Sequence, residues 1–161
     1  MLAALLDSWN RNNTILINLR RAIADDALDL RPTAGSHTIG ELFTHMHYCR
    51  LIFVVEDAPE FGREMPKGEW GVERDGDRLV QMLNDSAKAV HDAVEGRLRA
   101  GREMDTHYDH PILMLQHFIW HEGYHHGQIK LTLKMAGRPF DDEEIGPLTW
   151  DVWMGKTKSV S

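Results

Sequence analysis

Apolar residues recur every three or four positions in four separate stretches of the chain. These stretches cover residues 2 to about 24, 38 to about 57, 77 to about 100 and 111 to about 137. Polar and charged residues fill the positions between them, as they do on helices that bury one face and expose the other. The pattern therefore predicts four amphipathic helices.

Local signals fix several ends of these helices. Thr38 with Glu41 predicts a capping box at the start of the second helix. Gly101 ends the third helix, and Pro111 falls in the first turn of the fourth. After Gly137 an arginine and a proline stop the fourth helix, so an irregular tail is expected from about residue 138.

The stretch between the second and third helices is too rich in helix breakers to be a regular element. It carries Pro59, Gly62, Pro66, Gly68 and Gly71. At about 3.3 Å per extended residue, it is long enough to run the length of a helix. The chain is therefore predicted to be all-α, a single four-helix-bundle domain over residues 1–161 with a long crossover between helices two and three. Whether helices two and three are antiparallel neighbours stays open.

Composition excludes some classes of function. With 161 residues the chain can bury a core without disulfides, and its single cysteine, Cys49, has no partner within the chain. We therefore expect a reducing compartment, the cytoplasm. A net charge of -7 does not suit a nucleic-acid binder, and no apolar run is long enough for a membrane span.

The clearest chemical signal is the segment His121-Glu-Gly-Tyr-His125 in the fourth helix. Residues four apart lie on one face of a helix, so both imidazoles can converge on one cation. The same letters match the H-E-x-x-H pattern of zinc proteases, in which Glu122 would be the general base. A helical bundle argues against a protease of that type, because those enzymes present their substrate along a sheet edge.

A catalytic metal site of this kind needs a third protein ligand. The second helix offers His45 and His47, which lie about 200° apart around the helix axis, so that we expect only one to face the core. His45 belongs to an apolar face with Leu42, Cys49 and Ile52 and is the predicted ligand. His47 is predicted to point outward or to a boundary.

Other polar residues near the motif have simpler interpretations. We expect His117 to form a wall or a ligand-supporting contact, and His126 to lie at the surface. Glu122 could be a solvated or inter-helix charge as readily as a proton-transfer group, and is at most a weak catalytic candidate. Gln128 and Glu41 could each hold an imidazole N–H.

The five tryptophans and two of the methionines are expected to pack in the core or against loops rather than to form a ligand site. They are Trp9, Trp70, Trp120, Trp150, Trp153, Met114 and Met135.

Two segments carry a family likeness. Thr38-Ile-Gly-Glu-Leu-Phe-Thr-His45, together with His121-Glu-Gly-Tyr-His125-His-Gly-Gln-Ile and the later Met-Ala-Gly-Arg-Pro, closely resembles the DinB/YfiT-like superfamily. The resemblance spans nearly the whole chain in helix order and crossover position. It implies a four-helix bundle, a divalent metal held by His45, His121 and His125, and a homodimer. It also implies kinship with transferases and isomerases that use low-molecular-weight thiols.

Three imidazoles suit zinc, nickel, iron or copper and leave a coordination position for water or a thiol. Together with the family resemblance, this open site leads us to expect a metal-dependent S-transferase or isomerase that acts on a small electrophilic substrate, with a low-molecular-weight thiol as a further cofactor. One alternative is a non-catalytic, metal-binding stress-response bundle. The zincin-type metallohydrolase ranks last, because the sequence offers neither a sheet nor a convincing downstream ligand.

Overall fold

Four long helices form the bundle in the computed structural model, which describes residues 1–155. They are α1 (Leu2–Ala22), α2 (Ile39–Asp57), α3 (Gly76–Arg99) and α4 (Pro111–Met135). Within the described residues there is no β-strand, and the predicted all-α class is confirmed. The tail, predicted to be irregular, contains two short helices, α5 (Asp142–Ile145) and α6 (Trp150–Met154). Among residues 1–155, none of the helices is long and apolar enough to cross a membrane.

The helix ends follow from the predicted capping chemistry. The Thr38 hydroxyl accepts a hydrogen bond from the Glu41 amide at 3.1 Å, and the Glu41 carboxylate accepts one from the Thr38 amide at 2.7 Å. This reciprocal capping box satisfies two amides at the start of α2. Just after the C-terminal end of α4, Gly137 adopts a φ of 71°, a conformation that favours glycine.

Helices α2 and α3 run parallel to each other. Gly40, near the start of α2, lies against the backbone of Glu73, just before α3. Arg50, further along α2, donates a hydrogen bond to the Leu83 carbonyl, further along α3. The crossover of residues 58–75 therefore returns the chain along the length of α2, which answers the question that the sequence left open.

Helix α4 runs antiparallel to α2. The ring of His45 lies 4.9 Å from that of His125, centroid to centroid, whereas Phe53, two turns further along α2, meets the earlier His117 at 5.6 Å. The histidines of the two helices are thereby brought to one level of the bundle.

A polar layer divides the buried core into two apolar clusters. Each long helix contributes one buried polar residue to the layer. These residues are Asn12, Arg50, Ser86 and Glu122. The cluster on one side includes Leu19, Phe43, Leu83 and Ile129. The cluster on the other side includes Trp9, Val54, Val90 and Phe118.

The centre of this layer is an ion pair between Arg50 and Glu122. Arg50 donates to the two carboxylate oxygens of Glu122 at 2.6 and 2.8 Å, and Asn12 donates to one of them at 2.6 Å. Arg50 is fully buried, and Glu122 is 1% exposed. The remaining donors of Arg50 reach the Leu83 carbonyl at 2.7 Å and the side chain of Asn13 at 3.0 Å. All four helices are tied together through these two side chains.

Some apolar side chains depart from the expected packing. Trp9 and Met114 are fully buried, as predicted. Trp120 and Met135 were predicted to be packed, but they are 71% and 59% exposed. Both lie on the face of α4 that no other described element covers. In the tail, Trp150 lies 5.3 Å from the Lys130 ammonium.

The tail is fastened to α1 through its backbone. Arg11 donates hydrogen bonds to the carbonyl oxygens of Val152 at 2.6 Å and of Gly155 at 2.9 Å. Asn18 donates to the Leu148 carbonyl at 2.9 Å. These contacts place α6 beside α1.

We predict that Glu122→Gln lowers the free energy of unfolding by about 3 kcal/mol or more, because it leaves the Arg50 charge buried without a counter-charge. Urea denaturation followed by circular dichroism measures this change. Glu95→Gln is the matched control, since it breaks only the surface pairs with Arg99 and His91 and should cost about 0.5 kcal/mol. Equal effects of the two changes would contradict the role given to the buried pair.

Candidate metal centre

Three histidines converge between α2 and α4. The Nε2 atoms of His45 and His121 lie 3.2 Å apart, and those of His121 and His125 lie 3.0 Å apart. One nitrogen from each ring lies within 4.8 Å of the other two, so the group could hold a metal ion. The structure therefore brings together the three residues that the sequence predicted as ligands.

Helical spacing and the polar layer explain this convergence. His121 and His125 lie one turn apart on α4 and project from the same face. The ion pair between Arg50 and Glu122 fixes the position of α2 relative to α4. Glu122 directly follows His121, so the pair also fixes the position of His121 relative to α2. His45 lies five residues before Arg50 and is thereby held opposite the two histidines of α4.

Two of the rings are oriented by hydrogen bonds at their other nitrogen. His125 Nδ1 lies 2.7 Å from Gln128 Oε1, and the amide of Gln128 donates in turn to the Tyr124 hydroxyl at 3.0 Å. His45 Nδ1 lies 2.9 Å from Glu69 Oε1. Such partners hold the proton on Nδ1 and leave the Nε2 lone pair for a metal. The role predicted for Gln128 agrees with this geometry.

Glu69 and Trp70 were not predicted as parts of the site. Both belong to the crossover, and Trp70 stacks on the His45 ring at 4.0 Å with an interplanar angle of 1°. His37 also stacks on Trp70, at 3.5 Å. The only local signal is that an acid and an aromatic residue stand together between glycines in the crossover. Their contact with α2 depends on the path of the loop.

The site keeps its imidazoles neutral. Burial lowers the pKa of His121 to about 3, and the charges of His125 and His45 add to the shift. Burial is also the main cause that lowers the pKa values of His45 and His125. A neutral imidazole is the form that binds metal. At neutral pH the ligand set is therefore ready to bind without first losing protons.

The donor atoms fit a divalent cation. Bonds of about 2.0 to 2.1 Å from a tetrahedral zinc to nitrogen place two ligand nitrogens about 3.3 Å apart. The observed separations of 3.2 and 3.0 Å are close to this value. With the Nδ1 protons of His45 and His125 directed to Glu69 and Gln128, lone pairs on their Nε2 atoms face the His121 nitrogen. A cation between the rings would satisfy these lone pairs.

Glu122 is an inter-helix charge. Its two oxygens accept hydrogen bonds from Arg50 and Asn12, so neither is directed to a reacting group at the histidine cluster. This geometry gives no support to the proton-transfer role or to the zincin-type mechanism that depends on it.

The predicted position of His47 is wrong, since this residue is only 7% exposed. The prediction assumed that α2 buries a single face, but α2 packs against both α3 and α4, so more than one face of it is buried. Burial lowers the pKa of His47. His126, predicted at the surface, is partly buried, and burial lowers its pKa to about 4.

Two other predictions concern the surroundings of the cluster. His117 Nδ1 lies 2.7 Å from the Tyr108 hydroxyl, and its ring is 6.1 Å from that of His121. His117 therefore lies beside the cluster, as expected for a wall residue. Glu41 was a candidate for holding a ligand imidazole, but its carboxylate closes the capping box of α2 instead.

A cavity of about 420 Å³ opens next to the histidine cluster. Its lining includes His125 and Gln128 from the site, Trp70 from the crossover, and Tyr124 and Leu131 from α4. A larger cavity of about 650 Å³ lies between α2, α3 and the crossover and shares none of these residues. Of these two cavities, only the smaller one is lined by a histidine of the cluster, His125.

The fold and the cluster define a class of protein, a four-helix bundle with a three-histidine centre between two facing helices. A model of the DinB family matches residues 1–142, so the chain belongs to the DinB family. The family resemblance read from the sequence is confirmed. Comparisons with curated proteins and with solved structures found no significant match.

We predict that the metal-free protein loses stability as the pH falls below about 6.5. The unfolded chain then binds protons at histidines whose lowered pKa values keep them neutral in the fold, among them His45, His47, His121 and His125. Each histidine that titrates only in the unfolded chain contributes up to about 1.4 kcal/mol per pH unit, and above about pH 6.5 its contribution is constant.

Urea denaturation at about pH 7.5, 6.5 and 5.5 measures this dependence. His47→Gln should flatten the decline, because it removes one of the buried rings. A free energy of unfolding that stays constant or rises over this range would contradict the prediction.

Proposed function

We propose that the protein is a metal-dependent enzyme that transfers a low-molecular-weight thiol to a small electrophilic substrate, or isomerises such a substrate with the thiol's help. The observation that carries the proposal is the convergence of three neutral imidazoles beside a cavity. The ligands would be His45, His121 and His125, and the donor set suits zinc, nickel or iron. A divalent ion bound there would stabilise a thiol as its thiolate at neutral pH.

The surrounding residues hold the ligands in place for this chemistry. Glu69 and Gln128 each accept the Nδ1 proton of a ligand ring, which fixes the ring and increases the basicity of its Nε2 atom. Trp70 covers one face of His45 and excludes water there. With three protein ligands, a tetrahedral ion keeps one position for an exogenous thiol.

The cavity beside the cluster suits a small substrate with an apolar part. A volume of about 420 Å³ lies within the usual range for small-molecule sites. Apolar and aromatic surface comes from Trp70, Tyr124 and Leu131, while Gln128 and the ligand ring of His125 supply polar groups at its inner end. A substrate held there would lie beside the ring of His125, one of the residues that would hold the metal.

We predict that His45→Ala and His121→Ala each weaken metal binding more than about 100-fold and abolish metal-dependent conjugation of thiols. Elemental analysis and competition with a chelating dye measure binding, and a panel of thiols and small electrophiles measures turnover. His91→Ala is the matched control, since His91 lies on α3 beside Asp92, outside the cluster.

The two functional classes give different results in this experiment. Tight metal binding by the wild type without any turnover would favour the non-catalytic metal-binding bundle. Full metal content in both ligand variants would contradict the three-histidine assignment itself.

We also propose that the protein is a homodimer formed through the exposed face of α4. Apolar side chains follow this face at spacings of seven, four, seven and four residues, the repeat of a helix-to-helix seam. They are Leu113, Trp120, Tyr124, Leu131 and Met135, and each is between 46% and 71% exposed. A two-fold contact between two copies of α4 would bury these side chains against themselves. Tyr124 also supports Gln128, so the contact would stiffen the site.

We predict that Trp120→Glu weakens self-association at least about tenfold, because it places a charge in the centre of an apolar seam. Analytical ultracentrifugation should give twice the chain mass for the wild type and a shift towards the single-chain mass for the variant. Val72→Glu alters an equally exposed residue in the crossover and serves as the control. A monomeric wild type would contradict the proposal.

A further inference from the structure

A second group of metal-binding side chains surrounds the ring of His45. Glu69 Oε1 lies 2.9 Å from His45 Nδ1, and Cys49 Sγ lies 3.7 Å from the same nitrogen and 3.6 Å from Nε2. A donor atom from each of the three residues lies within 4.8 Å of the other two. The group offers one nitrogen, one sulfur and one oxygen, whereas the three-histidine cluster offers nitrogen alone.

The fold places these three donors together by two independent routes. Cys49 follows His45 by one turn of α2 and therefore lies on the same face of the helix. Glu69 comes from the crossover, where the neighbouring Trp70 is stacked flat on the His45 ring. The ring is thus held between a thiol on its own helix and a carboxylate on the loop.

The three donors are close enough together to share one cation. Bonds of about 2.3 Å to sulfur and about 2.0 to 2.1 Å to nitrogen put the two donor atoms about 3.6 Å apart around a tetrahedral zinc-like ion. Cys49 Sγ lies 3.7 Å from His45 Nδ1 but 3.6 Å from Nε2, so the sulfur lies over the ring, and the thiol must move towards Glu69 to bind an ion at Nδ1. The Glu69 side chain is 44% exposed, so an ion can reach this group from the solvent.

We propose that His45 Nδ1, Cys49 Sγ and the Glu69 carboxylate form a second site for a thiophilic divalent cation, in competition with the three-histidine site for the ring of His45. Thiolate sulfur favours soft ions, so cadmium should prefer this site more strongly than nickel or iron does. The site does not depend on whether the protein transfers thiols.

Proton balance explains why the two sites compete. A neutral imidazole has one lone pair and one N–H, so the ring serves one ion at a time. With an ion at the three histidines, His45 Nδ1–H donates to Glu69. With an ion at the second site, the ring proton resides on Nε2, and Cys49 coordinates as the thiolate. The Cys49 proton goes to the solvent, so one proton is released for each ion bound.

The test uses His121→Ala, which breaks the three-histidine site and leaves the second group intact. Titration of this variant with cadmium chloride should give a thiolate-to-cadmium charge-transfer band in the ultraviolet that saturates at one ion per chain. Since the chain has a single cysteine, the band reports on Cys49. Adding Cys49→Ser should abolish it. Adding either Glu69→Gln or His45→Ala should weaken cadmium binding about tenfold or more.

His91→Ala in the same background is the matched control and should leave the band and its midpoint unchanged. Circular dichroism checks folding, and His121→Gln replaces the alanine variant if that variant unfolds. A folded variant without the band would overturn the proposal. So would a band of unchanged midpoint after His45→Ala, because cadmium would then bind Cys49 alone. Neither result bears on turnover at the three-histidine site, which is measured separately.

Discussion

The buried ion pair between Arg50 and Glu122 sets the geometry on which the rest of the molecule depends. A guanidinium without access to water must be matched by a counter-charge and by acceptors for its other donors. Glu122 supplies the charge, while Leu83 and Asn13 supply acceptors. Because these partners lie on different helices, the pair permits one register between them. The same register sets His45 against His121, and so the candidate metal centre is a consequence of the core.

The crossover is the second element that shapes the site. A shorter connection would have joined α2 to an antiparallel neighbour, whereas residues 58–75 return along α2 and let α3 run parallel to it. On the way, the chain lays Glu69 and Trp70 against His45. The crossover that makes α2 and α3 parallel therefore also orients the ring of His45. Helices alone would supply three imidazoles, but the bond to His45 Nδ1 comes from the loop.

Helix positions and the candidate histidines His45, His121 and His125 could be predicted from the sequence, because periodicity, caps and i, i+4 spacing are local properties. The predictions of burial were wrong where a side chain's exposure depends on which other helices pack against its own helix. His47 was placed outside because α2 was assumed to bury one face, and Met135 was placed inside because it is apolar. Glu69 could not be assigned, since nothing in its own segment indicates which helix the loop crosses. Glu122 stands in a protease-like motif, and only its partner Arg50 reveals its structural role.

The polar layer also bears on how the bundle folds. Its members come from α1, α2, α3 and α4, and no subset of three helices satisfies them all. A partly assembled bundle that lacks α4 would hold Arg50 in an apolar setting without its carboxylate, which is costly. We therefore expect intermediates of this kind to be sparsely populated and the two apolar clusters to unfold as one cooperative unit. Since α4 also carries two of the three imidazoles, the candidate metal centre should form in the same step as the core.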